Sequence, residues 1–298
     1  MGDIGIVVLN YKNYTETIKC VDSILEQKEV KVNVVIVDNG SENESMDAFK
    51  ERYNDNEGIH LIENSKNLGY AKGNNVGIDW LRHQGIDFII VCNSDVVFSS
   101  PYIMKDMYEA LTKEIGVMIP IIRNLDGTIE MRAQYRRKLF SMRIIKELLK
   151  MRNLKKNKNP KEEDKSSNAA QIMEFLKPGI QTDYYVITGS VFALTPNFFK
   201  YYSGLYPETF LYVEELATML LVHKARLKCA IIETKDVIHK GAASTGNSLK
   251  AGTERKRKMI AASAKKVFKL VFMPRFYVGW KYRVLLCWNR SEQSTSRG

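Results

Sequence analysis

The stretch Asp87-Phe88-Ile89-Ile90-Val91-Cys92-Asn93-Ser94-Asp95-Val96-Val97 decides the fold. Phe88 to Cys92 is a run of apolar, mostly β-branched or aromatic residues, the pattern of a strand buried on both faces in a parallel sheet. It is too short to cross a bilayer and too apolar for a sheet edge. The run stops at Asn93-Ser94-Asp95, which sets an amide and a carboxylate at the carboxyl end of a buried parallel strand, where open α/β sheets bind their ligands. A carboxylate there suits Mg²⁺ or Mn²⁺, and through the ion a diphosphate. It equally suits the cap of a following helix, and the stretch alone does not choose.

Upstream, Ile4 to Leu9 reads as a first strand, followed by the polar loop Asn10-Tyr11-Lys12-Asn13-Tyr14 and a helix from Thr15 to about Glu26. Val32 to Val37 is a second buried strand ending in Asp38-Asn39-Gly40-Ser41. Strand, helix and strand with short loops form a βαβ unit with a right-handed crossover. After a helix from Ser45 and a short strand at His60 to Glu63 comes Asn67-Leu68-Gly69-Tyr70-Ala71-Lys72-Gly73-Asn74-Asn75-Val76-Gly77, a glycine-spaced loop running into a helix. Such glycines serve close approach of a ligand, or close packing of helix on sheet. The pattern is not Gly-x-Gly-x-x-Gly, which argues against a dehydrogenase, and no phosphate-binding P-loop occurs.

Downstream, Pro101 opens a helix, Val117 to Pro120 is a strand, and Asp126-Gly127 marks a hairpin turn. Asp183 to Ile187 and Val191 to Leu194 read as strand around the small turn Thr188-Gly189-Ser190. A helix from Glu214 to about Ala225 has Leu216, Met219, Leu220 and His223 on its inner face, and Cys229 to Glu233 is a further strand. Val237 to Ser244, which includes His239, reads as a polar turn.

The net charge of +11 is concentrated in two places. Residues 131–165 carry 13 Lys/Arg against four Asp/Glu, and residues 251–283 carry ten against one, so the rest of the chain is acidic. Two local basic patches favour an anionic lipid surface over nucleic acid, for which no recognition module is visible. The basic segment 131–168 reads as an insertion, low-complexity near 155–167, in a domain spanning 1–250; residues 251–298 form a basic amphipathic extension. The four cysteines are dispersed, with no zinc-knuckle spacing and no disulfide framework, and no signal peptide or 18-residue apolar run is visible. A cytosolic setting follows as the expectation.

Asp38, Asn93 with Asp95, and Glu214 with Glu215 thus recur at strand or helix ends. These residue types suit displacement of a nucleoside diphosphate by a hydroxyl, with hard oxygen ligands for a divalent ion and a carboxylate to take the acceptor's proton. Each also has a plainer reading: the glutamates as an acidic first helical turn, His239 as a loop histidine.

Taken in order, Ile6-Val7-Val8-Leu9-Asn10-Tyr11, Val35-Ile36-Val37-Asp38-Asn39-Gly40-Ser41, Asn67 to Asn75, Asn93-Ser94-Asp95, Thr188-Gly189-Ser190, Tyr212-Val213-Glu214-Glu215-Leu216 and His239-Lys240-Gly241 resemble the family 2 glycosyltransferases of the GT-A fold. The likeness is to the bacterial cell-surface polysaccharide branch, rhamnosyltransferase-like in type. It implies a Rossmann-like, mostly parallel α/β sheet flanked by helices, and inverting transfer from a nucleotide-diphosphate sugar to a lipid-linked saccharide. The rival is a non-catalytic nucleotide-sugar or glycan-binding subunit. Carried over by position, Asn10, Tyr11 and Asp38 correspond to nucleobase contacts, and Gly69, Lys72 and Asn74 to the nucleotide pocket. Asn93 and Asp95 correspond to a degenerate Asp-x-Asp, with Asp95 as metal ligand for Mg²⁺ or Mn²⁺ and His239 as a second. Glu215 corresponds to the catalytic base, with Glu214 in contention. The tail's basic and aromatic residues suit a helix lying on the inner face of the cell membrane. A homo-oligomer is left open.

Overall fold

A computed structural model describes residues 2–130, 134–136, 140–153, 180–182, 184–235, 237–241 and 254–282. The low-complexity stretch at 155–167, residues 242–253 and the chain beyond 282 lie outside the described residues. The apolar runs of the first half become β1 (Asp3–Asn10), β2 (Lys31–Asp38), β3 (Ile59–Glu63) and β4 (Phe88–Asn93), linked by α1 (Tyr14–Leu25), α2 (Ser45–Tyr53) and α3 (Tyr70–His83). Then come β5 (Val96–Phe98), α4 (Ile103–Glu109), β6 (Ile115–Ile119), β7 (Ile122–Asn124), β8 (Gln134–Arg136) and α5 (Phe140–Arg152). The remainder holds β9 (Ile180–Gln181), β10 (Tyr184–Val186), β11 (Val191–Leu194), α6 (Pro196–Phe199), α7 (Glu214–Lys224), β12 (Lys228–Ile232), β13 (Val237–His239) and α8 (Glu254–Phe272).

An eight-stranded sheet runs β3-β2-β1-β4-β11-β6-β12-β9. β1 to β4 are mutually parallel, as the βαβ pattern dictates. β11 is antiparallel to both its neighbours, β4 and β6, so the sheet is mostly rather than wholly parallel. Every residue of β4 from Phe88 to Cys92 is buried, because a layer of helices covers each face. On one side Cys20, Val21, Ile24, Phe49, Met104 and Met107 close over Ile6, Val8 and Ile90. On the other, residues of α3, α5, α6, α7 and α8 pack on Val7, Val35 and Val91.

Two readings change. Val237-Ile238-His239 is not a polar turn but β13, antiparallel to β5 and parallel to β7 in a small three-stranded sheet. A three-residue strand is too short to leave a periodic signal, and its partners are distant in sequence. The same sheet decides Asp95: the chain leaves it into β5, so it caps no helix.

The other change concerns the tail. An amphipathic helix does form over α8, but Ala261, Ala264, Val267 and Leu270 are buried, the last three in the core cluster shared with α5 and α7. Burying a side chain such as Val or Leu contributes roughly 1.5–3 kcal/mol, so the apolar stripe belongs to the domain. What remains in solvent is its end, Phe272 (69% exposed), and in the helical segment 275–282 Phe276 (78%) and Trp280 (64%). Among the described residues no helix is long and apolar enough to cross a membrane.

Candidate active site

The parallel strands end level. Asn10 stands opposite Asp38, and Leu9 opposite Asn93, so three carboxyl termini form one edge. At the β1–β2 part of that edge the polar groups saturate one another. Asn10 Nδ2 donates to Asp38 Oδ1 (2.6 Å), Thr17 Oγ1 donates to Asn10 Oδ1 (2.7 Å), and Ser41 N donates to Asp38 Oδ2 (2.9 Å). Asn10 is fully buried and Asp38 nearly so, while Tyr11 is half-buried.

A second amide lattice ties this edge to α3. Asn39 accepts from Leu68 N–H and Asn64 Nδ2 and donates to Asn67 Oδ1 and Gly69 O. Gly69 has φ +81°, and a Cβ there would run into the Phe210 carbonyl, which accepts from Tyr70 N–H (2.8 Å). Gly73 and Gly77 press against Leu9 and Val7 of β1, so the four-residue glycine spacing is the packing of helix on sheet. Asn74 is fully buried and donates to Tyr70 O (3.0 Å), whereas Lys72 is exposed.

The middle of the edge is charged instead. β13 lays His239 beside Val96 and beside Asn124 of β7, and the Lys240 amide donates to the Asp95 carbonyl (2.9 Å). His239 Nε2 lies 3.2 Å from Asp95 Oδ1, and its Nδ1 lies 2.9 Å from Glu130 Oε2. All three side chains are at least nine-tenths buried. Burial alone would lower the imidazole pKa, but the two carboxylates outweigh it and raise it to about 9. Ser190 Oγ donates to Glu130 Oε2 (2.8 Å), and Asn93 N–H donates to Ser190 O (2.8 Å).

Glu130 was not among the sequence candidates. It follows the Asp126-Gly127 turn, where Glu130 N–H donates to Ile122 O and folds the strand back over β7. A single glutamate after a hairpin carries no signal of its own.

Next to Ser190, Gly189 receives the other candidate. A Cβ at Gly189 would lie 2.6 Å from Glu215 Oε1, so the missing side chain makes room for that carboxylate. Tyr70 Oη donates to Gly189 O (2.7 Å), which joins the start of α3 to the same spot. The adjacent glutamates therefore differ. Glu215 is half-buried against the 188–190 turn, while Glu214 is buried within the domain. Burial first, and the Glu215 charge second, raise the Glu214 pKa to about 8, so it is largely neutral at pH 7. Tyr212 and Val213, which lead into these residues, both hold left-handed backbone (φ +70° and +74°), a conformation that costs of order 1–3 kcal/mol for a non-glycine residue.

A divalent ion fits the Asp95–His239 pair. Neighbouring ligands of an octahedral ion bonded at about 2.1 Å stand about 3 Å apart, close to the 3.2 Å between Oδ1 and Nε2. Among the described residues no cluster of three His, Cys, Asp or Glu side chains could hold an ion by itself, so Asp95 and His239 would do so only as a pair.

The sequence profile described as glycosyl transferase family 2 matches residues 4–173, more than half of the chain. The chain belongs to this family. No curated protein matches it. Among solved structures it is similar to Staphylococcus aureus TarS 1-349, at 12% identity and a TM-score of 0.53, over 89% of this chain and 71% of that one. TarS 1-349 in complex with UDP-GlcNAc matches at 12% identity and 0.54, over 91% and 65%. The mannosyltransferase PcManGT from Pyrobaculum calidifontis, in complex with GDP-Man and Mn²⁺, matches at 12% identity and 0.53, over 92% and 69%. The chain spans 42% of the longer TarS chain. At these identities the likeness shows the GT-A fold, and the family makes this chain a glycosyltransferase.

Proposed function

We propose that this family 2 transferase moves a hexosyl or deoxyhexosyl group from a nucleoside diphosphate to a hydroxyl of a lipid-linked saccharide, with inversion and with metal assistance. The observation that carries the reading is one half-buried glutamate, Glu215, standing at the end of a polar line that runs through Gly189, Ser190, Glu130 and His239 to Asp95. The donor class is supported by the UDP-GlcNAc and GDP-Man complexes of its structural relatives.

Asn10 and Asp38, each bonded within the fold, shape the wall of the base pocket. Tyr11 and Lys72 are the accessible contacts, and Gly69 and Asn74 hold the start of α3 in place beside them. Asp95 and His239, with Asn93 alongside, are the residues that would hold Mg²⁺ or Mn²⁺. Such an ion, when bound, would supply positive charge to offset that of a leaving diphosphate. Glu215 accepts the proton of the acceptor hydroxyl as its oxygen bonds to the anomeric carbon, and the bond from that carbon to the diphosphate breaks on the opposite face. Glu214, protonated, leaves a single charge at this helix start.

The acceptor's lipid fits the exposed end of the tail. Phe272, Phe276 and Trp280 stand in solvent with Arg275 and Lys281 beside them, a combination suited to an anionic bilayer surface. The enzyme then works peripherally on the inner face of the cell membrane, in surface-polysaccharide synthesis. Sedimentation with phosphatidylglycerol vesicles tests this, and a Phe276→Ser/Trp280→Ser protein that still pellets would overturn it.

The decisive experiment for the reaction is thermal-shift screening of uridine, guanosine and thymidine diphosphate sugars with and without Mn²⁺, followed by turnover of the stabilising donor. One donor is expected to raise the melting temperature in Mn²⁺ and to be consumed. Binding without consumption under any acceptor condition would favour a non-catalytic partner subunit, a reading that Asn93 in place of a first aspartate keeps in view.

A further inference from the structure

We infer that Glu130 is a positioning residue for the metal clasp: its carboxylate, fixed by Ser190, holds His239 so that Nε2 faces Asp95. The inference rests on the metal reading of Asp95 and His239 and adds a residue to it.

The argument is geometric. Imidazole has two nitrogens on opposite sides of the ring; both donate when the ring is charged, and an ion can take the place of only one of the two protons. Glu130 Oε2 lies 2.9 Å from Nδ1 and keeps a proton on that nitrogen, so Nε2, on the Asp95 side, is the nitrogen that would give up its proton to bind an ion. Nε2 is the nitrogen 3.2 Å from Asp95 Oδ1. Glu130 cannot drift from this role easily. It is 7% exposed, Ser190 Oγ donates to the same Oε2 at 2.8 Å, and its own amide is bonded to Ile122 O. Ser190 is in turn tied to the carboxyl end of β4 through Asn93 N–H. The carboxylate, the ring and the ligand-bearing strand are thus one assembly, built across three elements distant in sequence.

Removing such an outer carboxylate typically weakens metal affinity 10- to 100-fold. The test is a titration of full-length protein with Mn²⁺, alone and with uridine, guanosine or thymidine diphosphate, following the free-ion signal by electron paramagnetic resonance. Glu130→Ala is expected to weaken Mn²⁺ binding at least tenfold and Glu130→Gln by less, since the amide oxygen still accepts from Nδ1–H. On a His239→Asn background Glu130→Ala should add no further loss. Wild-type Mn²⁺ affinity in folded Glu130→Ala, or an equal loss on both backgrounds, overturns the positioning role. Asp95→Asn separates the two layers of the argument. If it leaves Mn²⁺ binding unchanged, or wild type takes up no Mn²⁺ under any of these conditions, the clasp itself fails. If Asp95→Asn abolishes binding while Glu130→Ala does not, only the role of Glu130 falls. Glu130→Gln, with its melting temperature, guards against a folding artefact in the alanine variant.

Discussion

The two parts of the sheet edge use polar residues in opposite ways. At the ends of β1 and β2, Asn10, Thr17, Asp38 and Ser41 are buried and bond to one another. At the ends of β4 and β13, and at the start of α7, ionisable groups face each other instead: buried Asp95, His239 and Glu130 in one group, and buried Glu214 beside half-buried Glu215 in the other. A saturated hydrogen-bond network stabilises a loop shape. His239 and Glu214, whose pKa values are pushed above their ordinary range, mark the part of the edge where a reaction can use charge. The first part is therefore scaffold, and the second is where the chemistry is expected.

The largest effect should separate them by activity. Glu215→Gln and Asp95→Asn are each expected to reduce kcat at least 100-fold, about 2.7 kcal/mol of transition-state stabilisation, while circular dichroism stays unchanged. A Glu215→Gln enzyme that turned over donor at the wild-type rate would remove the base from this position.

Stability should separate them in the other direction. Asn10→Leu leaves buried partners unbonded, at about 1–3 kcal/mol for each such group, and urea midpoints should fall accordingly. A variant as stable as wild type would mean that water reaches the network.

The pH dependence sharpens the contrast further. Glu214 has a folded pKa of about 8 against an ordinary 4.5, so the folded protein keeps a proton that the unfolded chain releases. Its contribution to stability is present in full below about 4.5 and is lost as pH rises through about 8. Unfolding free energies of wild type should therefore decline between about pH 5 and about pH 9, and Glu214→Gln should flatten that decline. Parallel curves for the two proteins would exclude the buried carboxyl as its source.

The smallest effect belongs to charges outside both regions. Arg52 and Asp22 pair at 3.0 Å with side chains 57% and 36% exposed, and Arg52→Ala should barely move the midpoint in the same urea experiment. A larger loss would show that exposed pairs here behave like the buried cluster.

Much of the fold was legible in the chain because β1, β2 and β4 are continuous apolar runs that stop at polar residues. Their burial follows from that composition alone. The glycine-rich stretch was legible as a helix start but not in its purpose. Gly73 and Gly77 are packing glycines, which shows only once Leu9 and Val7 are seen against them. The tail was legible as amphipathic, but a sequence pattern does not say what covers an apolar stripe. α5 and α7 cover it, and Phe276 and Trp280 remain outside.

By itself, the sequence determined the strand-and-helix order, the parallel half of the sheet and the carboxylates at its edge, since each depends on residues close together along the chain. Only the tertiary structure decided which carboxylates matter to one another. Asp95, Glu130 and His239 are brought together by the pairing of β5, β13 and β7. Strands of three residues carry no readable period, and their contacts close loops of more than 100 residues. The same holds for the two glutamates of α7. They are neighbours of like chemistry in the chain, and they become one buried and one half-buried carboxyl because the domain covers the first while Gly189 leaves space for the second.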